Sequence, residues 1–323
     1  MNSIEAEHNA HLTAILAHWE LPPLITIAAL QEKHSVYKIT TNGPSFILKD
    51  ISDAPNLTRL EFTHQVLTHV AHSGLYVPTP LAARSAALAV PYQGRFYLLT
   101  NYIEARPDPF MPEAIGTLFY DAGEGIARLH QALASYVDPE ISRKTWREEL
   151  AGRVVPWISA LSARLPESQA EIVKRLGPVR SATIEAALRS LPEQLIHRDC
   201  HPGNILLHGT RVIGFIDCDH ICIGPRLFDL AYYAVHHLKW VTDDASATTR
   251  WLKTLPALLN GYQAQLLLSP QEVTALPAAM MAYHLLLANW FMQAGHQEPI
   301  AREVQALDWL DQHFEAILDR LLP

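Results

Sequence analysis

The chain has 323 residues, of which 49% are hydrophobic and 18% charged, with a formal net charge of −8 at pH 7. The length suits two domains or one domain in two lobes, and the composition supplies a core and excludes a disordered, highly solvated chain. The acidic balance excludes nucleic-acid binding through a broadly basic surface. Three cysteines cannot staple a chain this long and read as reduced thiols.

The N-terminal stretch is amphipathic, with Ile4, Leu12, Ile15, Leu16 and Trp19 on one helix face. It has neither the basic region nor the apolar run of a signal peptide. No apolar run reaches the ~20 residues of a membrane span. The longest candidate, 280–291, is interrupted by His284 and Asn289. A cytoplasmic protein that stays out of the membrane is expected.

Three short strands follow, at 25–30, 36–40 and 45–49, the last two joined by the hairpin chemistry of Thr41-Asn42-Gly43-Pro44. A helix is expected over 57–72. Segments 86–91 and 95–100 then flank Tyr92-Gln93-Gly94, a second hairpin signal. Beyond Arg106 the pattern turns helical. Leu118, Ala122, Ile126, Leu129 and Leu133 form one face, and further helices are expected at 146–165, 170–190, 226–240, 247–265, 271–293 and 301–322. One β island interrupts them: 205–207 and 212–216, joined by His208-Gly209-Thr210. The layout predicts an α+β chain in two lobes. These are a small antiparallel β lobe at 1–101, a stiff crossing at 102–109, and a larger helical lobe at 110–323.

The densest chemistry lies around the β island. His197-Arg198-Asp199 is followed by Asn204, and Asp217 ends the strand after the hairpin. A hairpin brings the residue before its first strand and the residue after its second to one end. A carboxylate and an amide oxygen there, with another carboxylate available, suit a hard Mg²⁺ ion that shares its ligands with phosphates. The remaining aspartate then accepts or orients a hydroxyl proton. A phosphate-holding lysine and a helix glutamate are expected upstream. Lys49 at a strand end and Glu61 in the next helix supply them.

His197–Asn204, Gly214-Phe-Ile-Asp-Cys-Asp219 and Gly224-Pro-Arg-Leu-Phe-Asp-Leu-Ala231 together resemble the aminoglycoside phosphotransferase and choline kinase superfamily. The absence of an Ala-Pro-Glu segment, and the short stretch between Asp219 and Asp229, set the chain apart from protein kinases. The resemblance implies a protein-kinase-like fold and an ATP- and Mg²⁺-dependent transfer of phosphate to the hydroxyl of a small molecule. Relatives take homoserine, choline or ethanolamine, sugars and aminoglycosides, and the layout looks nearest to the homoserine-kinase-like members.

The resemblance also implies residue roles. Asp199 is the catalytic base, and Asn204 and Asp217 hold the metal. Lys49, braced by Glu61, contacts ATP phosphates, and the peptide groups of Tyr102, Ile103 and Glu104 hold adenine. Asp219 adds charge near the metal or a contact to it, Asp229 braces the catalytic loop, and His197 supports that loop. Where protein kinases have a glycine-rich phosphate cover, this chain has Gln31-Glu-Lys-His-Ser35, with no glycine, so Ser35 is the candidate donor. Tyr233, His237, Tyr283 and Trp290 lie on helices expected to wall the acceptor pocket, where an aromatic face can attract a cationic amine. The Cys and His residues between 200 and 222 lack the paired Cys-x2-Cys framework of a zinc site. Two other readings of the same motifs are a bacterial Ser/Thr protein kinase and a nucleotide-binding protein with little turnover.

Overall fold

The computed structural model describes residues 3–31, 36–52, 57–107, 115–137, 146–239 and 242–322. The chain divides into two compact units, one of residues 1–105 with 215–219 and one of 106–214 with 220–323. The return of 215–219 to the first unit is not visible in the strand and helix pattern. It is anchored there by the Phe215 N–H, which donates to the Tyr76 carbonyl at 2.9 Å.

The first unit contains α1 (Ser3–Leu16), β1 (Leu24–Gln31), β2 (Val36–Thr41), β3 (Phe46–Asp50), α2 (Leu57–His72), β4 (Ala89–Tyr92) and β5 (Arg95–Asn101). Its strands form one antiparallel sheet in the order β1-β2-β3-β5-β4. The β4–β5 turn has Gln93 at φ 49° and Gly94 at φ 79°. Two left-handed residues in a two-residue loop match the twist of the flanking strands. On β3, Phe46 and Leu48 enter a core with Leu12, Ile15, Trp19, Ile39 and Leu99. Side chains alternate along a strand, so Lys49 faces away from that core. Its strand is paired on both sides, with Val36 opposite it on β2 and Leu98 on β5.

The second unit begins with β6 (Arg106–Pro107), α3 (Ile115–Ala134), α4 (Trp146–Ala151), α5 (Val154–Arg164), α6 (Glu167–Arg175) and α7 (Gly177–Arg189). It continues with β7 (Glu193–Ile196), β8 (Ile205–His208), β9 (Arg211–Phe215), β10 (Cys222–Pro225), α8 (Leu227–Leu238), α9 (Ala245–Gln263), α10 (Pro270–Gln293), α11 (Gln297–Gln312) and α12 (Phe314–Leu321). The expected α3 face, from Leu118 to Leu133, is buried throughout. Helices α3 and α9 meet at glycines. A Cβ on Gly123 would lie 2.0 Å from the Leu258 carbonyl oxygen, and one on Gly261 1.9 Å from that of Tyr120. Helix α10 is long and apolar enough to cross a membrane by length and composition, yet 78% of its apolar window is buried inside the protein.

Three expected long helices are each broken in two. The 146–165 segment breaks at Gly152-Arg153, 170–190 breaks at Leu176, and 301–322 breaks at His313. At the second break Gly177 takes φ 55°, a left-handed turn that glycine adopts without steric cost.

Candidate active site

Strands β7 and β10 pair antiparallel, with Ile196 opposite Cys222. The chain leaving β7 forms the loop His197-Arg198-Asp199. Arg198 stands at φ 71°, a left-handed conformation that costs a non-glycine residue about 1–3 kcal/mol and persists only where its surroundings enforce it. Here they do. Asp229, fully buried in the first turn of α8, accepts the His197 N–H on Oδ2 and the Arg198 N–H on Oδ1, each at 2.8 Å. Tyr283 on α10 donates its hydroxyl to the Arg198 carbonyl at 3.0 Å. His197 Nδ1 accepts the Asp199 N–H at 3.2 Å. Asp229 is itself held, since His130 Nε2 lies 2.9 Å from its Oδ2 and His130 Nδ1 lies 2.8 Å from the Tyr262 hydroxyl.

The Asp199 carboxylate is fixed by its neighbours. Asn204 Nδ2 donates to Asp199 Oδ2 at 3.0 Å and to its main-chain oxygen at 2.9 Å. The Tyr232 hydroxyl also donates to this carboxylate, and burial with Asp199 alongside pushes the Tyr232 phenol well above its ordinary range. His201 caps the short turn Pro202–Asn204 by accepting the Gly203 N–H. A Cβ on Gly203 would lie 2.8 Å from the His201 ring, so glycine is what lets that ring lie across the turn. The His201 ring stacks on His236, and Tyr232 stacks on Tyr283.

In the first unit, Lys49 Nζ lies 3.1 Å from Asp217 Oδ1 and 2.5 Å from Asp219 Oδ2. Burial pulls the lysine down, but the charges and hydrogen bonds of Asp219 and Asp217 outweigh it and push its pKa up to about 12. Asp217, like Arg198, is a non-glycine residue in the left-handed region, at φ 57°. Arg59 on α2 donates to the Asp219 carbonyl at 3.2 Å.

The expected Lys49–Glu61 pair is not formed. Glu61 is exposed on α2, and the lysine is taken by the two aspartates. Two carboxylates at hydrogen-bond range hold an ammonium more strongly than one mobile surface glutamate. Ser35 lies outside the described residues. The Tyr102 N–H donates to the Ser45 carbonyl, so of the three adenine candidates only Ile103 and Glu104 keep amides outside the backbone ladder. Tyr233 and His237 are fully buried against Phe119 and present no surface to an acceptor. Their neighbours Tyr232 and His236 are the α8 residues grouped with Asp199 and His201. Tyr283 is a buried brace, and Trp290 is exposed beside a cavity.

Cavities of two sizes line the described helices of the second unit. The larger, about 460 Å³, is an open apolar trough between α5 and α7 with no catalytic-loop residue. A smaller one, about 180 Å³, is bordered by Arg198, and its lining does not include Asp199.

Among the described residues no three His, Cys, Asp or Glu side chains converge as a metal cage. In the first unit Asp217 and Asp219 bring their carboxylates together at Lys49. A pair of carboxylates fits Mg²⁺, which takes one or two of them and completes its shell with water and phosphate.

The family model of the phosphotransferase enzyme family matches residues 25–264. A homoserine kinase of Brucella ovis is 26% identical over 277 residues, covering 82% of this chain and 78% of its own length. A solved amicoumacin kinase in complex with AMP-PNP, Ca²⁺ and Ami is 21% identical, covers 95% of each chain and superposes with a TM-score of 0.67. A microcompartment-associated aminopropanol kinase is 16% identical, covers 96% of this chain and 99% of its own, and gives a TM-score of 0.63. The fold is protein-kinase-like, and the chain belongs to the phosphotransferase enzyme family.

Proposed function

We propose that this phosphotransferase is an ATP- and Mg²⁺-dependent kinase of a small-molecule hydroxyl, with an amino alcohol as the acceptor class. The observation that carries the reading is the braced, left-handed loop that presents Asp199, held by Asp229, Tyr283 and Asn204. A carboxylate fixed this way suits the acceptance or orientation of a hydroxyl proton. Lys49 contacts the nucleotide phosphates, and Asp217, Asp219 and Asn204 are the residues that would hold Mg²⁺. The bound ion would supply charge neutralisation at the transferring phosphoryl group. The similarity to homoserine kinase and to the aminopropanol kinase fold supports the acceptor class.

The test couples ADP release to a panel of amino alcohols, sugars and aminoglycosides. Transfer to an amino alcohol is expected, and Asp199→Ala should abolish it while Mg-ATP binding, read by calorimetry, persists. Turnover that survives Asp199→Ala would remove this residue from its role.

A further inference from the structure

His201 lies in the same loop as Asp199, between it and Asn204, and its N–H donates to the Asp199 carbonyl at 2.9 Å. Its Nδ1 accepts the Gly203 N–H at 3.1 Å. A ring nitrogen that accepts carries no proton, so the ring N–H is on Nε2. That Nε2 stands 4.0 Å from Asp199 Oδ2, the oxygen that already takes the Asn204 amide at 3.0 Å. A closure of about 1 Å brings the two into hydrogen-bond range. Catalytic hydrogen bonds are often long without substrate and tighten in the substrate complex.

The ring is held on several sides. It stacks on His236, with centroids 5.3 Å apart and planes at 15°, and meets Tyr232 at 5.7 Å and 64°. Tyr232 is stacked in turn on Tyr283, which donates to the Arg198 carbonyl. On the turn, a Cβ on Gly203 would come within 2.8 Å of the His201 Cε1, so a larger residue there would push the ring aside. A turn cap alone needs none of this, because serine, aspartate or asparagine caps with a shorter side chain. A clamped ring with its N–H toward a carboxylate does more than cap.

We infer that His201 is a positioning residue for the transfer: its Nε2–H is a second donor to Asp199 Oδ2 and keeps the carboxylate in one orientation as the acceptor hydroxyl approaches. The inference rests on the phosphotransfer reading above, in which Asp199 meets that hydroxyl, and adds a residue to it.

Two variants test it, assayed by ADP release on the best acceptor of the amino alcohol, sugar and aminoglycoside panel. His201→Asn keeps an acceptor for the Gly203 N–H and removes the donor facing Asp199. Its kcat should fall about 10- to 100-fold, the worth of a hydrogen bond to a charged group, with KM for Mg-ATP and the urea midpoint unchanged. His201→Ala opens the slot beside His236, and the native ring is partly exposed, so a small molecule can enter it. At about pH 8.5, where free imidazoles are largely neutral, 4-methylimidazole should restore part of the lost kcat and 1-methylimidazole should not. Both carry an accepting nitrogen and one methyl group, and only the first has an N–H. A His201→Asn variant with the wild-type kcat would make the cap the whole role and overturn the inference. Rescue of His201→Ala by both imidazoles alike, or by neither, overturns it too. Each of these results leaves the kinase reading standing. Absence of transfer by the wild type to every acceptor in the panel overturns both.

Discussion

Asp229 accepts the main-chain N–H of Arg198 at 2.8 Å, and through that bond a helix residue thirty-one positions away sets the backbone of the catalytic loop. The same carboxylate takes the His197 N–H and lies beside His130, so both of its oxygens serve as acceptors for the loop. An asparagine is the same size but carries donors on one arm. Asp229→Asn should therefore leave a buried N–H unpaired and cost about 1–3 kcal/mol of stability, with kcat falling at least tenfold as Arg198 leaves φ 71°. Urea denaturation and steady-state rates measure the two effects. Unchanged values for both would show that the loop holds its shape without this brace.

Tyr283 secures the other end of the same peptide by donating to the Arg198 carbonyl. Tyr283→Phe keeps the ring stacked on Tyr232 and deletes only the hydroxyl. The expected loss is about 1 kcal/mol, with a fall in kcat well short of that from Asp229→Asn. A Tyr283→Phe variant as impaired as Asp229→Asn would place the phenol in the chemistry rather than in the scaffold.

Lys49 holds two carboxylates and is pushed up to about 12, above the ordinary lysine value of 10.5. A raised folded-state pKa contributes stability that is complete below pH 10.5 and lost as pH rises through about 12. With the groups partly exposed that contribution is small. The functional consequence is larger. Lys49 stays charged across the working range, so the basic limb of a pH–rate profile should carry no lysine titration below pH 10. Lys49→Met should leave Asp217 and Asp219 repelling each other and reduce kcat/KM by roughly 100-fold or more. Lys49→Met with wild-type nucleotide affinity and rate would exclude the lysine from phosphate binding.

The parts of the fold that were legible in the sequence are those set by local pattern. Strand β3 reads from the alternation of Phe46 and Leu48 with Ile47 and Lys49, and α3 from an apolar face spaced at three and four. The β7–β10 pair was not read, because two four-residue strands separated by twenty-five residues find each other through tertiary contact alone. In the site, the aspartates and Asn204 stand out through motif spacing. Strand-to-helix order suggests Glu61 as the partner of Lys49, whereas the competing carboxylates arrive from 168 and 170 residues away. On α8, composition marked Tyr233 and His237, while the helix phase set by the buried Asp229 turns those two into the core.

The α3–α9 contact offers a test that involves no active-site residue. Both helices use a glycine where the other's backbone passes, and an added methyl at either place would meet a main-chain oxygen at 2.0 Å or closer. A carbonyl in a helix cannot swing aside as a side chain does. Gly123→Ala and Gly261→Ala should each cost about 1–3 kcal/mol from overpacking, despite the higher helix propensity of alanine. Denaturant midpoints measure the balance, and a stabilised variant would mean that the helices sit further apart than described.

Buried histidines give the last prediction, on acid stability. Burial lowers His237 to about 3, and burial followed by the charge of Lys239 lowers His236 to about 2. The unfolded chain takes up these protons near pH 6.5, while the folded protein refuses them until far lower. Their contribution is therefore complete above pH 6.5 and is lost progressively as pH falls below it. Each group adds up to about 1.4 kcal/mol per pH unit to that slope. Urea denaturation between pH 7.5 and 4.5 should show a steep fall, and His237→Leu, which keeps an apolar side chain against Phe119 and Tyr233, should make it shallower. The rate profile should show no limb from either imidazole across the same interval, since both stay neutral. A His237→Leu slope equal to that of wild type would mean that the unfolded and folded chains protonate this histidine alike, and that its burial is not what sets the acid limit.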